Sequence, residues 1–149
     1  MSEPVVALGE IPVVAAVLRR GGRLLVARRP AGKRHGGMWE FPGGKVLSGE
    51  TLLEAVRREL AEELVLEVRG IGDLLFRADD PGSPFSIHFV EVFAEGLPRA
   101  IEHSEFAWVT PDELPAFPLA PADARFVREG LASPAPSPPS ASRSAGKSA

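Results

Sequence analysis

The chain has 149 residues, enough for one domain with a hydrophobic core, and its 44% hydrophobic and 25% charged residues are ordinary for a globular protein. A net charge of −3 argues against general affinity for nucleic acid polymers, and the absence of cysteine excludes disulfides and thiol chemistry. No apolar run approaches the ~20 residues of a membrane span. The acidic N-terminus lacks the basic region of a signal peptide. We therefore expect a cytoplasmic protein without membrane partners.

Composition divides the chain into three segments. Residues 1–11 read as an N-terminal extension, residues 12–131 carry the apolar runs of one domain, and residues 132–149 are rich in alanine, proline and serine. The last segment has almost nothing to bury, so we expect it to form a disordered tail. A single domain, residues 12–131, is therefore predicted.

The first elements predicted are two strands between Pro12 and Arg28, separated by Gly21-Gly22. Their apolar runs are short and β-branched, and a glycine pair suits the positive φ angles of a hairpin turn. Residues 29–38 are polar and glycine-containing, which predicts a loop. Residues 39–44 form a short extended piece that ends in a second loop, which continues to Glu50.

A helix is predicted for Thr51 to Leu64, where Thr51 and Glu54 have the T-x-x-E spacing of a capping box and strong helix formers follow. Its apolar residues repeat at helical spacing, so one side of this helix should face the core. The elements predicted after it are strands at 66–76, 85–94 and 106–109, a turn at 79–82, a helical turn opened by Thr110 and Pro111, and a last helix at 121–130.

Three glutamates, Glu59, Glu62 and Glu63, occur at i, i+3 and i+4 of this helix, so their carboxylates share one face, with Glu63 pointing partly inward. Like charges at this spacing repel one another, and the last turns of a helix disfavour anions. A hard divalent cation held by carboxylate oxygens would compensate, and Mg²⁺ is the usual choice where a substrate carries phosphates. The alternative is a solvated acidic face partly paired with Arg57 and Arg58.

A longer pattern surrounds these glutamates. Gly44, five residues, Glu50, seven residues and then Arg58-Glu59-Leu60-Ala61-Glu62-Glu63 resemble the Nudix box, G-x5-E-x7-R-E-U-x-E-E-x-G-U, in which U is aliphatic. One fixed position departs, because Val65 stands where the pattern has glycine. A glycine just past a helix commonly adopts the left-handed conformation, which costs a β-branched residue about 1–2 kcal/mol. The helix therefore either ends differently here or carries strain.

The resemblance implies an α/β fold, the Nudix α/β/α sandwich with a mixed sheet and the box helix on one face. Nudix enzymes hydrolyse a nucleoside diphosphate linked to another moiety, with Mg²⁺ or Mn²⁺ as cofactor. The resemblance also implies roles for individual residues: Glu59, Glu62, Glu63 and the Gly43 carbonyl as metal ligands, Arg58 as the residue that holds a catalytic glutamate, Glu50 as a brace of the loop–helix junction, Gly44 as the box glycine, and Lys45 as a residue facing the phosphates.

The resemblance extends from about Val13 to Val127, and the flanks of the box are similar to the MutT-like branch, which clears oxidised or unwanted nucleoside triphosphates. Trp39-Glu40-Phe41-Pro42-Gly43-Gly44-Lys45 resembles its W-E-F-P-G-G-K motif, and Arg28-Arg29 resembles its strand-end arginines, of which we expect Arg29 to contact the nucleotide. Glu105 matches the segment where such members carry an additional metal ligand or base. Its alternative is an ordinary surface acid.

Two residues are candidates for contact with the base. Asp123 ends a Phe117–Asp123 stretch that resembles F-P-P-A-N/D, whose last residue reads the base; the alternative is a helix N-cap. A carboxylate only accepts hydrogen bonds, so it would select the donors of an oxidised guanine or the amine of cytosine. Phe41 would either stack on the base or belong to the core. His88 is expected to be packed or hydrogen-bonded within a strand.

The function that these motifs predict is a Mg²⁺-dependent nucleoside triphosphate pyrophosphohydrolase that acts on 8-oxo-dGTP and releases nucleoside monophosphate and pyrophosphate. One alternative is the same reaction on CTP or a modified dCTP. Another is a catalytically silent Nudix domain that senses a nucleotide, although the complete set of Arg58, Glu59, Glu62 and Glu63 argues against it. The expected partner is a small nucleotide, and the chain is expected to act as a monomer or homodimer.

Overall fold

The computed structural model describes residues 11–131, so the predicted tail and most of the predicted N-terminal extension lie outside the described residues. The regular elements are strands β1 (Ile11–Arg20), β2 (Arg23–Arg28), β3 (Trp39–Glu40), β4 (Gly43–Lys45), β5 (Glu67–Asp79), β6 (Phe85–Glu95) and β7 (Glu105–Val109), with helices α1 (Leu52–Leu64) and α2 (Pro121–Arg125). A 3₁₀ turn at Leu114–Ala116 precedes α2, and a π-helical segment, Phe126–Leu131, continues it. None of the helices in this part of the chain is long and apolar enough to cross a membrane.

The seven strands form one mixed sheet in which β1 is central. It runs parallel to β6 along most of its length, from Ile11↔Phe85 to Leu18↔Val92. Its first half also pairs antiparallel with β4, and its last residues turn into β2. Strand β2 in turn pairs with β3 and β7, and β5 pairs with β6. The sheet is therefore mixed, as the sequence predicted.

Strand β1 is buried on both faces because helical layers cover the sheet from two sides. Val14, Ala16 and Leu18 pack in one cluster with α1, whereas Ala15 and Val17 pack in the other with the C-terminal helical segment. Side chains alternate between the faces of a strand, so one continuous apolar run supplies both cores. This arrangement confirms the predicted α/β/α sandwich.

Local signals predicted the first hairpin and the first helix correctly. Gly21 and Gly22 both adopt positive φ angles, 57° and 78°, as a tight hairpin turn requires. Thr51 caps α1: its hydroxyl accepts a hydrogen bond from the Glu54 amide at 3.1 Å, and Glu54 accepts one from the Thr51 amide at 2.9 Å. Both signals depend on residues only a few positions apart, so the local sequence is enough to predict these two elements.

Two of the predicted elements differ in detail from the structure. Residues 39–44, predicted as one extended piece that ends in a loop, form two strands, and the second, β4, extends to Lys45 and pairs with Val13–Ala15 of β1. Glycine is depleted in strands, but a Cβ on Gly43 would overlap the Val14 carbonyl, so this close pairing needs a residue without one. The last helix, predicted as one helix over 121–130, changes to π-helical geometry at Phe126, where Phe126 and Val127 enter the core.

The conformation of Val65 shows how the helix ends where the box pattern has glycine. It ends α1 in the left-handed conformation, φ 59° and ψ 37°, which is the conformation expected of the missing glycine. Its amide donates to Ala61 O, and the Leu66 amide reaches Leu60 O, both at 3.2 Å. These bonds satisfy the carbonyls at the helix end. The helix therefore keeps its usual ending, and the β-branched residue carries the strain.

Candidate active site

The loop before α1 is tied to the helix by Arg58. Its guanidinium donates two hydrogen bonds of 2.8 Å to the Glu50 carboxylate, one of 2.9 Å to Glu59 and one of 3.0 Å to the Lys45 carbonyl. Glu50 also accepts the Leu47 amide at 2.9 Å. The hydrogen bonds from Arg58 and Leu47 lower the pKa of Glu50 to about 2. The loop–helix junction is therefore a closed ionic network around one arginine.

Gly44 brings strand β4 against the helix carboxylates. A Cβ at this position would overlap the carboxylate of Glu59, so any other residue would displace that side chain. Arg58 holds the same carboxylate from the other side. Glu59 is thus positioned between the backbone of β4 and the guanidinium, and the fit depends on glycine at residue 44.

Glu63 is the most unusual acid of the site. Its residue is 7% exposed, and its Oε1 atom is buried without a hydrogen-bond partner among the described residues. Burial is the main cause that raises its pKa to about 10, and a hydrogen bond and charge from Glu59 add to the effect. The prediction that Glu63 points inward is confirmed. A cation beside this carboxyl would supply the partner that its buried oxygen lacks among the described residues.

The other glutamate of the predicted metal set is oriented differently. The side chain of Glu62 is 55% exposed, and its nearest cationic contact is Arg58 at 3.8 Å. Within residues 11–131, no three acidic or imidazole side chains are already grouped as a metal site. The residues nevertheless fit a hard divalent cation, because the adjacent Glu59 and Glu63 offer oxygen ligands and one of those oxygens has no hydrogen-bond partner in the described part of the chain.

A cavity of about 240 Å³ adjoins this cluster. Gly44 and Lys45 line it, as do Arg29, Glu40 and Asp123. The Lys45 ammonium also lies 5.2 Å from the centre of the Phe85 ring. Because Gly44 contacts both Glu59 and the cavity, a ligand in the cavity lies next to the helix carboxylates.

Arg29, the arginine expected to contact the nucleotide, lines this cavity and belongs to a partly buried chain of polar side chains. Its guanidinium donates to Glu40 Oε1 at 2.9 Å, and the other oxygen of Glu40 lies 2.9 Å from Nε2 of His103. The Nδ1 atom of His103 is buried and has no partner among the described residues. Arg28, by contrast, points to the exposed side and pairs with Glu105 at 2.9 Å.

Asp123 reaches the cavity because its segment is attached to β3. Trp39 donates to the Pro118 carbonyl at 2.9 Å, and the Ala120 amide donates to the Trp39 carbonyl at 2.8 Å. The Asp123 carboxyl then accepts the Phe41 amide at 2.9 Å. The N-cap of α2 is Ala120, so the alternative that Asp123 caps the helix was wrong.

The environment of Asp123 corrects the expectation of an acceptor-only group. Burial, and next the charge of Glu40, raise the pKa of Asp123 well above its ordinary value. A neutral carboxyl carries one O–H donor in addition to its acceptors. The group can therefore donate as well as accept towards a base, which widens the bases that it can recognise.

The Phe41 ring packs in the hydrophobic core and does not face the cavity. It is 2% exposed and packs edge-to-face against Phe89 and Phe126 at ring distances of 6.0 and 5.3 Å. Stacking on a base would require opening this cluster, so the structure favours the core among the two alternatives for this ring. The contribution of Phe41 to the cavity wall is its amide, which holds Asp123.

Glu105 lies outside the cavity wall, at the exposed end of β7 beside Arg28. Its role as an extra metal ligand or base stays a prediction. Five residues at the site were missed by the sequence reasoning: Arg34, His35, Glu40, Asp80 and His103. Two of these residues had a sequence feature that could have drawn attention to them. Glu40 is the one acid within the motif Trp39–Lys45, and His103 lies two residues before Glu105.

Comparison with known proteins identifies the family. The model of the NUDIX domain matches residues 10–130. Because this match covers most of the chain, the protein belongs to the NUDIX family. The predicted family, the predicted fold and the assignment as a Nudix hydrolase are thereby confirmed.

Relatives with assigned activities cover nearly the same length. A CTP pyrophosphohydrolase of Escherichia coli is 39% identical over 126 residues, covering 82% of this chain and 92% of its own. An 8-oxo-dGTP diphosphatase of Haemophilus influenzae is 32% identical over 124 residues, covering 81% and 91%. A solved structure of a MutT NUDIX hydrolase from Burkholderia pseudomallei has a TM-score of 0.71 at 30% identity, with 81% of this chain and 97% of that chain covered.

Proposed function

We propose that this chain is a divalent-metal-dependent nucleoside triphosphate pyrophosphohydrolase that releases nucleoside monophosphate and pyrophosphate. One observation carries the proposal: a single cavity is lined by Gly44, which touches the Glu59 carboxylate, and by Asp123, a buried hydrogen-bonding group. Phosphates and a base can therefore be held in one site. The substrate classes follow the names of the relatives, 8-oxo-dGTP and CTP.

Mg²⁺, with Mn²⁺ as a substitute, is the cofactor that this site would take. Glu59 and Glu63 would hold it, together with Glu62 and the Gly43 carbonyl. When bound, such an ion neutralises charge on the bridging phosphates and lowers the pKa of a coordinated water. The unpartnered Oε1 of Glu63 supports this assignment, because a cation would satisfy it.

The protein's own residues position the reacting groups. Arg58 holds Glu59 in place while Glu50 fixes Arg58, so the orientation of Glu59 does not depend on the substrate. Lys45 and Arg29 add positive charge to the cavity wall for a polyphosphate. Glu105 is retained as a further candidate for the base, and its pairing with Arg28 would have to change for that role.

The base is read in this proposal by Asp123. In its neutral form the carboxyl donates one hydrogen bond and accepts others. An oxidised guanine offers N1–H and an exocyclic amine, while cytosine offers an amine next to a ring acceptor. The second candidate substrate, CTP or a modified dCTP, is favoured by the 39% identity to the E. coli CTP pyrophosphohydrolase. Our first choice stays 8-oxo-dGTP.

The test is pyrophosphate release from 8-oxo-dGTP, dGTP, CTP, 5-methyl-dCTP, ATP and ADP-ribose, with and without Mg²⁺. We expect metal-dependent release from 8-oxo-dGTP or a cytosine nucleotide at a kcat/KM at least ~10-fold above ATP, which a hydrogen-bond difference of about 1.4 kcal/mol would supply. Turnover of every triphosphate below a hundredth of that of ADP-ribose would overturn the proposal. Silence with all six compounds would favour the nucleotide sensor.

A matched pair of variants tests the metal assignment in the same assay. Glu62→Gln should lower kcat by at least ~10² if the carboxylate ligates the catalytic metal. Glu67→Gln, which changes an exposed glutamate on β5, should leave kcat unchanged. Equal activity of the two variants would remove Glu62 from the metal set.

A further inference from the structure

A salt-bridged cluster joins two loops that are distant in the sequence. The Asp80 carboxylate accepts Nε of Arg34 at 3.0 Å through one oxygen, and its other oxygen lies 3.1 Å from Nε2 of His35. Arg34 also donates to the Pro81 carbonyl at 2.9 Å. Arg34 and His35 belong to the β2–β3 loop, whereas Asp80 begins the β5–β6 turn. We call these three side chains the loop bridge.

Both partners of the loop bridge are held by their own backbone. On one side, the Asp80 amide donates to the Phe85 carbonyl at 3.0 Å, and the Asp80 carbonyl accepts the amide and hydroxyl of Ser83. On the other side, His35 adopts a left-handed φ of 57°, and its carbonyl accepts the Met38 amide. A left-handed conformation in a residue other than glycine is uncommon and persists where the surroundings enforce it.

The loop bridge forms part of the wall of the candidate active site. Arg34, His35 and Asp80 line the same cavity as Asp123 and Lys45. Asp80 is nearly fully buried, and hydrogen bonds from His35 and Arg34 lower its pKa against the opposing effect of burial. The bridge therefore contains a buried carboxylate at the cavity wall, whereas both partners of a surface pair such as Arg69–Glu95 are exposed.

The size of the cavity makes the position of this wall important. Its volume of about 240 Å³ is below the ~300–1,000 Å³ common for small-molecule pockets. A cavity this small discriminates by size if its walls cannot move apart. We propose that the loop bridge positions the β2–β3 loop so that the cavity accepts a limited set of nucleosides, and that Asp80 is the positioning residue on which this selectivity depends. The inference rests on the proposed function.

The experiment compares wild-type protein with Asp80→Ala, His35→Ala and the double variant. In calorimetric titrations with the monophosphates of 8-oxo-deoxyguanosine, cytidine and adenosine, we expect Asp80→Ala to weaken the tightest ligand at least fivefold. The ratio of the tightest to the weakest dissociation constant should shrink at least threefold. In turnover assays of the corresponding triphosphates, KM should rise by a similar factor with kcat within threefold of wild type.

Controls separate positioning from a general loss of stability. Arg69→Ala removes an exposed ion pair of 2.9 Å with Glu95, away from the cavity, and should change neither affinity nor selectivity. If Asp80→Ala does not fold, His35→Ala leaves the Arg34 contact in place and still opens half of the bridge. Non-additive effects of His35→Ala and Asp80→Ala would show that they act through one contact.

Several outcomes would overturn the inference. A folded Asp80→Ala variant whose dissociation constants and selectivity stay within twofold of wild type would do so. So would a loss of kcat at unchanged KM, or a wild-type protein that binds none of the monophosphates. Failure of the proposed function is a separate result, because it appears as missing pyrophosphate release from the wild-type enzyme, whereas binding of monophosphates needs no turnover.

Discussion

The carboxyl of Asp123 is buried in the cavity wall near Glu40, and burial followed by that neighbouring charge raises its pKa. The folded protein therefore keeps a proton on Asp123 at pH values where the unfolded chain has lost it. Stability falls with rising pH wherever the folded state binds more protons than the unfolded state. The decrease begins near the ordinary pKa of 3.8 and continues up to the folded-state pKa.

Replacing Asp123 with asparagine removes this titration and retains an oxygen that can accept the Phe41 amide. We expect Asp123→Asn to be more stable than wild type near pH 7, with the difference shrinking towards pH 4. The measurement is the free energy of unfolding in urea for both proteins across this pH range. A difference that is independent of pH would show that Asp123 has an ordinary pKa in the folded protein.

Val65 carries local strain that a single substitution can relieve. It holds a left-handed conformation, which costs a residue with a Cβ about 1–2 kcal/mol, and it is half exposed, so its side chain contributes little burial. Glycine adopts this conformation freely but adds entropy to the unfolded chain, which offsets part of the gain. We expect Val65→Gly to raise the free energy of unfolding by roughly 0.5–1 kcal/mol.

Alanine is the matched control at this position. Val65→Ala removes the β-branch but keeps the Cβ that causes the strain, so it should stabilise less than glycine does. Both variants can be compared by urea unfolding at one temperature. A glycine variant less stable than the alanine variant would mean that the turn is not strained.

At the scale of elements, helix α1 combines a network that is satisfied with a carboxyl that is not. Arg58 donates two hydrogen bonds to Glu50, whereas Glu63 is buried with one oxygen that has no hydrogen-bond partner within residues 11–131. A buried unsatisfied group destabilises the metal-free protein. We therefore expect Glu63 to lower the free energy of unfolding of the metal-free protein and to contribute to cation binding.

Glu63→Gln tests this expectation. Without metal we expect the variant to melt at or above the wild-type temperature, because a neutral amide replaces a carboxyl that is costly to ionise. With Mn²⁺ at 100 times its dissociation constant, wild type should gain about 2.7 kcal/mol, and the variant less than half of that. Thermal melting in a metal titration measures both effects, with Glu67→Gln as the surface control. An identical metal response in Glu63→Gln would remove Glu63 from the metal ligands.

At the scale of the whole molecule, the two faces of the sheet serve different ends of the proposed site. The core on one face supports α1 and its carboxylates, and the core on the other supports the segment that carries Asp123. Phe126 lies at the centre of the second core, stacked on Phe89 at 4.6 Å and edge-on to Phe41. Packing of the C-terminal segment thus also positions the cavity wall.

Phe126→Ala is expected to lower the free energy of unfolding by about 3–5 kcal/mol, as is typical for loss of a buried aromatic ring. Phe93→Ala, at a half-exposed position on β6, should cost much less. Chemical unfolding of the two variants provides the comparison. Similar losses in both would contradict the assignment of Phe126 to the core.

Much of the fold was predictable from local sequence. The Gly21-Gly22 hairpin and the Thr51 capping box each depend on residues no more than a few positions apart, and the glutamates of α1 share a face because of helical periodicity alone. The fixed spacing from Gly44 to Glu63 likewise lies within one loop and one helix. These features could be predicted because the local preferences of the sequence and the tertiary contacts favour the same conformation.

Tertiary structure decided which of these groups face each other. Phe41 and Asp123 are 82 positions apart, Glu40 and His103 are 63 apart, and His35 and Asp80 are 45 apart. No periodicity links residues at such separations, because their contacts depend on how the sheet pairs and how the C-terminal segment packs on it. The burial of Glu63, the neutral form favoured for Asp123 and the position of the loop bridge all result from that packing, since burial changes the free energy of a charge only after the chain has folded around it.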